Sequence, residues 1–319
     1  MTEQLKLKLN DSKATRWGAL VIVAFTMMAA YYVNDVVAPL KTMLETDLAW
    51  SSTDFGFFTG GYSFLNVFFL MLIWGGLILD RFGIRFTGKL ATILMVGGTA
   101  LEYYAMTGLA GADATLFGIN EILGYKTGVF VAFAGYSIFG VGAEVAGITV
   151  SKIIAKWFKG KELATAMGVQ VALARIGSQA GYAVAIPLAR AFGISTPVLL
   201  GLVLLLGGMI AFFIFAVMDK KLDKQMEAAA IAAGTEDEEE KFSFKDVKNI
   251  LVNPGFWLIA LLCVLFYSCV FPFQKFASEL MIIKYGINEN VAGTFAGLPA
   301  LGACLLYTSP SPRDRTRSR

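Results

Sequence analysis

The sequence predicts an all-α membrane protein, in which a bundle of six spanning helices is followed by the start of a second bundle. Of its 319 residues, 56% are hydrophobic and 16% are charged, whereas a soluble domain carries about 25% charged residues. Apolar runs of roughly 20 residues, the length that crosses a bilayer, recur along the chain. Because lipid offers no partner to free backbone groups, each such run is expected to form a helix.

Seven apolar runs have spanning length, and an eighth begins near Asn290. The seven runs cover residues 17–40, 55–79, 88–109, 127–154, 163–188, 194–217 and 255–277. They divide the chain into a six-span bundle over 1–218, a cytoplasmic linker over 219–253 and the start of a second bundle over 254–303. The linker is expected to be solvated and partly helical, with an amphipathic surface helix at 243–251.

Two segments in corresponding places indicate that the two bundles are copies of one unit. Residues 54–60, after the first span, and residues 291–297, after the seventh, both contain Gly-x-Phe-x-Gly. Each preceding span has a late proline, Pro39 or Pro272, that is followed by lysine and then glutamate. Internal repeats are common in polytopic membrane proteins, so a duplicated six-helix unit is predicted.

Lysine and arginine are distributed unevenly between alternate loops. If the N-terminus is cytoplasmic, the inner segments hold seventeen of these residues and the outer segments hold five. Cationic loops remain on the cytoplasmic side of a membrane, so a cytoplasmic N-terminus is predicted. The first sixteen residues are polar and the run after them is too long for a signal peptide, so that run is expected to be the first span.

Several classes of function find no support in the composition. The chain has no histidine, which excludes a histidine-ligated metal site and a histidine proton relay in this segment, and its three cysteines indicate no disulfide framework. The sequence lacks paired metal ligands, a serine–histidine arrangement and a phosphate-binding glycine loop, so an enzyme, a metal and a cofactor are not expected. The net charge of +3 arises from C-terminal arginines, so no nucleic-acid surface is predicted.

The loop between the second and third spans carries Gly76, Asp80, Arg81, Gly83 and Arg85. We expect Gly76 to permit close helix contact and Gly83 to permit a sharp turn. Asp80 is expected to cap a helix end or to pair with arginine, and Arg81 and Arg85 are expected to anchor the inner face. The pattern resembles the signature loop of the major facilitator superfamily, Gly-x-x-x-Asp-Arg-x-Gly followed by two basic residues.

Further segments support this resemblance. Residues 156–168 resemble the loop from span four to span five of the superfamily, and residues 244–257 resemble its entry into span seven. Ile84 departs from the pattern, since a basic residue is usual there, so one contact of the loop is expected to be missing. Residues 35–45 and 266–273 resemble a branch of the superfamily that includes the lysosomal dipeptide carriers of animals, with bacterial relatives.

The resemblance covers residues 17–303 and implies the major facilitator fold, as a multi-pass monomer in the inner membrane of a bacterium. It implies secondary active or facilitative transport of a small solute by alternating access, in which two bundles rock about a central site. Short peptides, other zwitterions and organic anions are the implied substrates, with protons as a candidate coupling ion. The alternative is a receptor or scaffold that transports nothing, which predicts that Arg175→Ala is tolerated apart from any cost to folding.

Ionisable residues inside the predicted spans are candidate functional groups, because burying a charge in lipid is costly. Glu144 lies ten residues from the inner end of span four and Arg175 lies twelve residues into span five, at depths of about 15 Å and about 18 Å. They are predicted to meet near the middle of the membrane. The pair either holds the helices together permanently or opens to bind a charged group of the substrate, and Glu144 is also a candidate proton acceptor.

Asp35 and Lys275 are predicted to lie at corresponding heights near the outer ends of spans one and seven, with Asp35 about 27 Å from the inner side. They are expected to form a gate across the cavity, or else to reach interfacial water separately. Glu102, which precedes two tyrosines, is predicted to be interfacial. The other residues expected to line the cavity are Tyr31, Tyr32, Asn34, Asn66 and Tyr267, although tyrosine is equally common as an interface anchor.

The C-terminal segment 304–319 differs in character from the rest of the chain. The eighth span breaks off after about half of the length it needs, and alternating arginines follow. Residues 304–314 resemble the translation of a transposon-end sequencing adapter, so the natural sequence is expected to diverge near Ala303 and to continue through a complete second bundle. A genuine arginine-rich tail is the alternative. Without the remaining helices, this chain is not expected to transport.

Overall fold

The computed structural model describes residues 8–111, 114–233 and 250–308, and these residues are almost entirely helical. The helices are, in chain order, α1 (Lys13–Val36), α2 (Lys41–Asp47), α3 (Ser52–Phe68), α4 (Met71–Thr107), α5 (Thr127–Trp157), α6 (Leu163–Phe192), α7 (Thr196–Ala233), α8 (Pro254–Tyr285) and α9 (Glu289–Thr308). Strands β1 (Glu121–Ile122) and β2 (Tyr125–Lys126) form an antiparallel hairpin before α5. The predicted all-α architecture is therefore confirmed.

The first predicted span is not one straight helix. α1 ends at Val36, a 3-10 turn follows at Ala38–Leu40, and α2 continues from Lys41. Pro39 lies in the turn, where its fixed φ and missing N–H are tolerated. These elements together are long and apolar enough to cross a membrane, and so are α5, α8 and the Thr196–Ala228 part of α7.

The second predicted span, residues 55–79, is broken rather than continuous. α3 ends at Phe68 and α4 begins at Met71, with a bend of 58° between the two helices. Leu70 at the break has a φ of +51°, a left-handed conformation that interrupts the helical hydrogen bonding. The bent pair still has the length and composition of a membrane-spanning element.

Gly83 lies between the second and third predicted spans, inside α4. Its φ of +75° and ψ of +173° are not helical, and a side chain would strain this backbone conformation. The sharp turn expected at Gly83 therefore occurs at that residue. We call the end of the bundle that carries this turn the inner end, and the end that carries α2 and the β1–β2 hairpin the outer end.

The six-helix bundle is held together by close contact between helix backbones. α5 packs against α3 and α4, while α1 packs against α6 and α7. A Cβ atom on Gly135 of α5 would lie 2.7 Å from the carbonyl oxygen of Gly98 in α4, and one on Gly142 would lie 2.7 Å from that of Ala91. Because no larger side chain fits at these positions, glycine sets the short distance between α4 and α5.

The linker predicted from residue 219 begins inside a helix. A solvated, partly helical linker is expected there, and α7 continues to Ala233, but Asp219 itself is fully buried rather than solvated. Residues 234–249, with most of the predicted surface helix at 243–251, lie outside the described residues. α9 continues to Thr308, and residues 309–319 also lie outside the description, so the foreign origin of the tail stays a prediction.

The start of the second bundle contacts the first in two ways. α9 packs along α6, while α8 packs against α9, α2 and the 3-10 turn. The inner half of α8 is exposed, as Trp257 and Leu262 show with exposed fractions of 57% and 66%. The strong contacts between α8 and the six-helix bundle therefore lie at the outer end.

Candidate functional site

Lys275 of α8 is the centre of a polar cluster at the outer end. Its ammonium group donates hydrogen bonds to the backbone carbonyl of Asn34 (2.6 Å) and to the hydroxyl oxygen of Tyr136 (3.1 Å), and lies 3.6 Å from Oδ1 of Asp35. The Tyr136 hydroxyl donates to the same carbonyl at 2.7 Å, and the Asn34 amide donates to Asp35 Oδ1 at 2.9 Å. We call Asn34, Asp35, Tyr136 and Lys275 the Lys275 cluster, and it joins α1, α5 and α8.

Three residues of the Lys275 cluster are predicted from the sequence to be site residues, and the fourth, Tyr136, is not. Asp35 and Lys275 lie together at the outer end, and Asn34 bonds to both. Their role as a gate stays a prediction. The sequence does not single out Tyr136, because one tyrosine among several in the spans follows no distinctive pattern. Its one signal is that it lies two turns from Glu144 on the same helix.

Lys41 forms a second contact between the bundles at the outer end. Its side chain is only 3% exposed, and its ammonium group lies 2.5 Å from Glu279 of α8, 2.8 Å from Glu45 and 2.9 Å from the Ser52 hydroxyl. A buried charge requires several such partners, because its desolvation is otherwise costly. The lysine and glutamate that follow each late proline in the sequence are the signal for this contact.

Glu144 and Arg175 do not form the predicted ion pair. Glu144 accepts a hydrogen bond of 2.7 Å from the Tyr62 hydroxyl, and the Arg175 guanidinium lies over the ring of Tyr31, 5.5 Å from its centroid. α6 packs mainly along α1, so Tyr31 of α1 lies within electrostatic range of both charges. Both side chains are half-buried, and neither has an oppositely charged side chain within 4.0 Å in the part of the chain that the structure describes.

The structure also describes the surroundings of three other residues that are predicted to line the cavity. Tyr32 is buried and donates a 3.2 Å hydrogen bond to the carbonyl of Pro197, so it contacts α7 instead of lining a cavity. Asn66 donates to a carbonyl of its own helix, and its Oδ1 is buried with no hydrogen-bond partner among residues 8–111, 114–233 and 250–308. Tyr267 is exposed on α8 and stacks on the aromatic ring four residues later.

Arg85 of the signature loop is part of an ion-pair network at the inner end. It binds Asp219 of α7 at 3.3 Å and also Asp223, and Lys156 of α5 binds the same two carboxylates at 2.8 Å and 2.5 Å. The indole of Trp157 donates a further hydrogen bond of 3.0 Å to Asp219. Asp219 is thus a buried carboxylate with three donors, and it fastens α4, α5 and α7 together.

The other members of the signature loop depart from the prediction in detail. Asp80 pairs with Lys152 of α5 at 2.9 Å rather than with arginine. A Cβ atom on Gly76 would meet nothing within 4 Å, whereas one on Gly75 would lie 2.6 Å from a side chain of α5. The close helix contact is therefore shifted by one residue, because Gly75 is on the face that packs against α5. Arg81 is exposed and lies over the ring of the next residue.

The N-terminal segment is bound to the connection between α5 and α6 by contacts that the sequence pattern does not reveal. Arg16 and the indole of Trp17 both donate to Glu162, each at 3.2 Å, and Lys161 donates to Asp11 at 2.5 Å. The hydrogen bond from Arg16 lowers the pKa of Glu162, and the one from Lys161 lowers the pKa of Asp11. We call these five residues the inner latch.

Glu102 is buried rather than interfacial. Its side chain is 0% exposed, and neither carboxyl oxygen has a hydrogen-bond partner among the described residues. α4 is pressed against α5 here, since a Cβ atom on Gly135 would lie 2.9 Å from the Glu102 amide nitrogen. The prediction is wrong because a carboxylate beside two tyrosines near a helix end has the composition of an interface, while burial depends on the partner helix.

Fold and site together define a polytopic membrane protein. Long apolar helices surround charged groups that are buried or half-buried, the arrangement found where solutes or ions cross a membrane. In the described ranges, no group of three or more possible ligands is placed to hold a metal ion. The sequence profile of the Major Facilitator Superfamily matches residues 19–316, and the chain belongs to this family. The predicted family and fold are thereby confirmed.

Several relatives share one name, lysosomal dipeptide transporter MFSD1. The chain is 27% identical to the protein of Homo sapiens over 293 residues, which are 88% of this chain and 57% of the relative. It is also 27% identical to the proteins of Pongo abelii, over 86% of this chain and 55% of the relative, and of Danio rerio, over 84% and 55%. The chain thus spans little more than half the length of these curated relatives.

Proposed function

We propose that this chain forms part of a carrier that moves a zwitterionic solute, such as a short peptide, across a membrane by alternating access. Family membership supports transport, and the relatives named as dipeptide transporters support peptides as substrates. The observation that carries the proposal is the pair of Glu144 and Arg175, which are opposite charges among apolar helices that are not bonded to each other.

The charges of a zwitterion complement this pair. The planar guanidinium of Arg175 presents two parallel N–H donors to a carboxylate, and the carboxylate of Glu144 accepts hydrogen bonds from an ammonium group. The Tyr62 hydroxyl holds Glu144 in place for that contact. Because a lone charge inside a membrane is costly, a bound zwitterion stabilises both side chains at once. An uncharged solute of similar size would stabilise neither charge.

The outer contacts fit the closed side of an alternating-access cycle. The Lys275 cluster and the Lys41–Glu279 ion pair both join α8 to the six-helix bundle at the outer end. Alternating access moves one bundle against the other about a central site, so these contacts must break when the outer side opens. Polar contacts suit this role, because water replaces the lost partners once the bundles separate.

We further propose that the protein works as a monomer in a bacterial inner membrane, with its N-terminus in the cytoplasm and with solute movement coupled to protons through Glu144. The excess of lysine and arginine at the inner end supports the orientation. In the full-length protein, Glu144→Gln is expected to abolish proton-driven accumulation and to spare exchange. Unchanged accumulation would refute the role of Glu144 in proton coupling.

Uptake of a radiolabelled dipeptide into proteoliposomes tests the proposed transport, with the full-length protein that contains this chain. We expect saturable uptake that unlabelled dipeptides inhibit, and a loss of about tenfold in apparent affinity for Arg175→Lys, which corresponds to about 1.4 kcal/mol. Arg190→Lys is the matched control, because Arg190 is exposed at the outer end of the same helix and pairs with Glu289. Normally inserted protein without uptake would favour the receptor or scaffold instead.

A further inference from the structure

Glu102 is a buried acid that the proposed transport site does not use. It is 0% exposed in α4, and both of its carboxyl oxygens lack a hydrogen-bond partner in the described part of the chain. The hydroxyl of Thr99, one turn earlier, is also buried and has no hydrogen-bond partner among the same described residues. An ionised carboxylate in such surroundings is far more costly than the neutral acid, because no hydrogen-bond donor of the described residues stabilises its charge.

The groups that face Glu102 are few. From α5 the titratable group within electrostatic range of Glu102 is Tyr136, and from α8 it is Lys275. On α3, Tyr62 is engaged with Glu144. α7 carries no charged residue between Thr196 and Met218, and on α4 itself two tyrosines follow Glu102. Within the described residues, the cation in range of Glu102 is thus Lys275, whose charge is already compensated by Asp35 and by the Asn34 carbonyl.

We propose that Glu102 is a proton-binding site that is loaded while the outer contacts are closed and that releases its proton when they open. The proposal deepens the proposed function, since it rests on an alternating movement of the bundles. In the closed arrangement the carboxyl group keeps its O–H bond. When α8 moves away, water reaches the cluster, the O–H bond of Glu102 breaks, and the proton passes to that water.

Lys275 connects this protonation to the movement of the outer end. While Lys275 is bonded to Asn34 and Tyr136 and lies beside Asp35, these groups compensate its charge. The ammonium group therefore does little to stabilise a carboxylate at Glu102. Once these contacts break, α8 carries Lys275 away, water takes its place, and this water stabilises the carboxylate of the ionised Glu102. Closing the outer end would bury that charge without a partner, which is costly, so the ionised Glu102 supports the opened arrangement until the proton returns.

A purely structural role for Glu102 is the competing explanation. A permanently neutral acid would fill space between α4 and α5, and an apolar side chain of similar length would serve equally well. This explanation predicts that the proton on Glu102 is insensitive to the outer contacts. The two explanations therefore differ in whether breaking an outer contact changes the protonation of Glu102.

Infrared spectroscopy of the purified chain in lipid tests the proposal, because a protonated carboxyl group has a C=O stretching band that ionisation removes. We expect the wild type to show this band at neutral pH and Glu102→Gln to lack it. Glu102→Met is the second variant, which removes the band without requiring a hydrogen-bond partner. Glu121→Gln is the control, because Glu121 is an exposed carboxylate of the β1–β2 hairpin, and its band intensity should equal that of the wild type.

Glu279→Gln tests the connection to the outer end, because it removes the carboxylate that Lys41 holds across the bundles. We expect the Glu102 band to weaken at the same pH. If the carboxyl band of the wild type survives in Glu102→Gln or Glu102→Met, Glu102 is not the protonated group and the proposal is overturned. If Glu279→Gln leaves the band unchanged, the proton on Glu102 does not respond to the outer contacts, and the proposed link to opening is overturned. Both results are independent of dipeptide uptake, so a failure of the proposed transport is distinguishable from a failure of this proposal.

Discussion

Lys275 of α8 donates a 2.6 Å hydrogen bond to the backbone carbonyl of Asn34 in α1. The first helix of the second bundle is thus fastened to the first helix of the first bundle, at the outer end. Because the acceptor is a backbone oxygen, no substitution at position 34 removes it. The lysine is therefore the residue whose replacement tests how firmly the outer end is closed.

Lys275→Met is expected to separate the outer end of α8 from α2, because the substitution removes the hydrogen bond from α8 to the Asn34 carbonyl and leaves that carbonyl with the Tyr136 hydroxyl of α5 as its donor. The measurement is the distance between spin labels at Thr46 and Ile283, both exposed, in a background without the native cysteines. We expect the distribution to shift to longer distances. Lys284→Met is the control, since Lys284 lies over an adjacent ring at the same end of α8. Identical distributions in the two variants would count against a gate.

Asp219→Asn is expected to destabilise the inner end strongly. Asp219 is buried and binds Arg85, Lys156 and Trp157, so losing its charge leaves two cations less well compensated. Breaking a buried ion pair costs about 3–5 kcal/mol. Asp223→Asn removes a carboxylate that is 40% exposed, and its cost is expected to stay below about 1 kcal/mol. Reversible unfolding in mixed micelles measures both, and equal costs would contradict the network described.

Gly142→Ala is expected to destabilise the α4–α5 contact by about 1–3 kcal/mol, the usual cost of overpacking. A Cβ atom there would lie 2.7 Å from the Ala91 carbonyl oxygen and 2.8 Å from the backbone of Met95. Gly97→Ala on α4 is the matched control, because its Cβ would meet nothing within 4 Å. Thermal unfolding in detergent should separate the two variants. A Gly142→Ala protein as stable as Gly97→Ala would show that this spacing is not set by glycine.

The inner latch is expected to open in acid. Asp11 and Glu162 have pKa values lowered from 3.8 and 4.5 by their bonds to Lys161 and Arg16. A carboxyl group with a lowered folded-state pKa contributes stability above its unfolded pKa, and this contribution is lost as the pH falls through the folded value. The latch should therefore persist at neutral pH and part below about pH 4. High salt should also weaken it, because these pairs are partly exposed.

Tryptophan fluorescence measures this opening, since the Trp17 indole donates to Glu162. The emission of the wild type should move towards that of Glu162→Gln as the pH is lowered, and the two should coincide in acid. Trp17→Phe is the control that removes the signal and leaves four other tryptophans. A difference between wild type and Glu162→Gln that does not change with pH would contradict the proposed opening.

The sequence predicts the helices and the family well because both depend on local patterns. Long apolar runs indicate most spans, and the spacing of Asp80, Gly83 and Arg85 indicates the family. The break at Leu70 is not predictable in this way, since a left-handed leucine inside an apolar run has no compositional signal. Ile84 appears in the sequence as a missing basic residue, but the structure shows it buried in the core at 7% exposure.

The candidate site is harder to predict because it depends on which helices are neighbours. Depth along each span correctly brings Asp35 near Lys275, since both are counted from helix ends. The same count fails for Glu144 and Arg175, because equal depth does not ensure that two side chains face each other, and α6 packs mainly along α1. The prediction that Glu102 is interfacial fails for a related reason. Its burial depends on glycines of α5, such as Gly135, which let that helix approach α4 closely.

We propose that Arg175 and Glu144 bind opposite ends of a zwitterion. Equilibrium binding of a labelled dipeptide, compared with its C-terminally amidated form, tests this claim in wild type and Arg175→Lys. We predict that Arg175→Lys weakens binding of the free dipeptide about tenfold, or about 1.4 kcal/mol, and leaves binding of the amidated form unchanged. An equal loss of affinity for both forms would contradict the claim, because the arginine would then not bind the carboxylate.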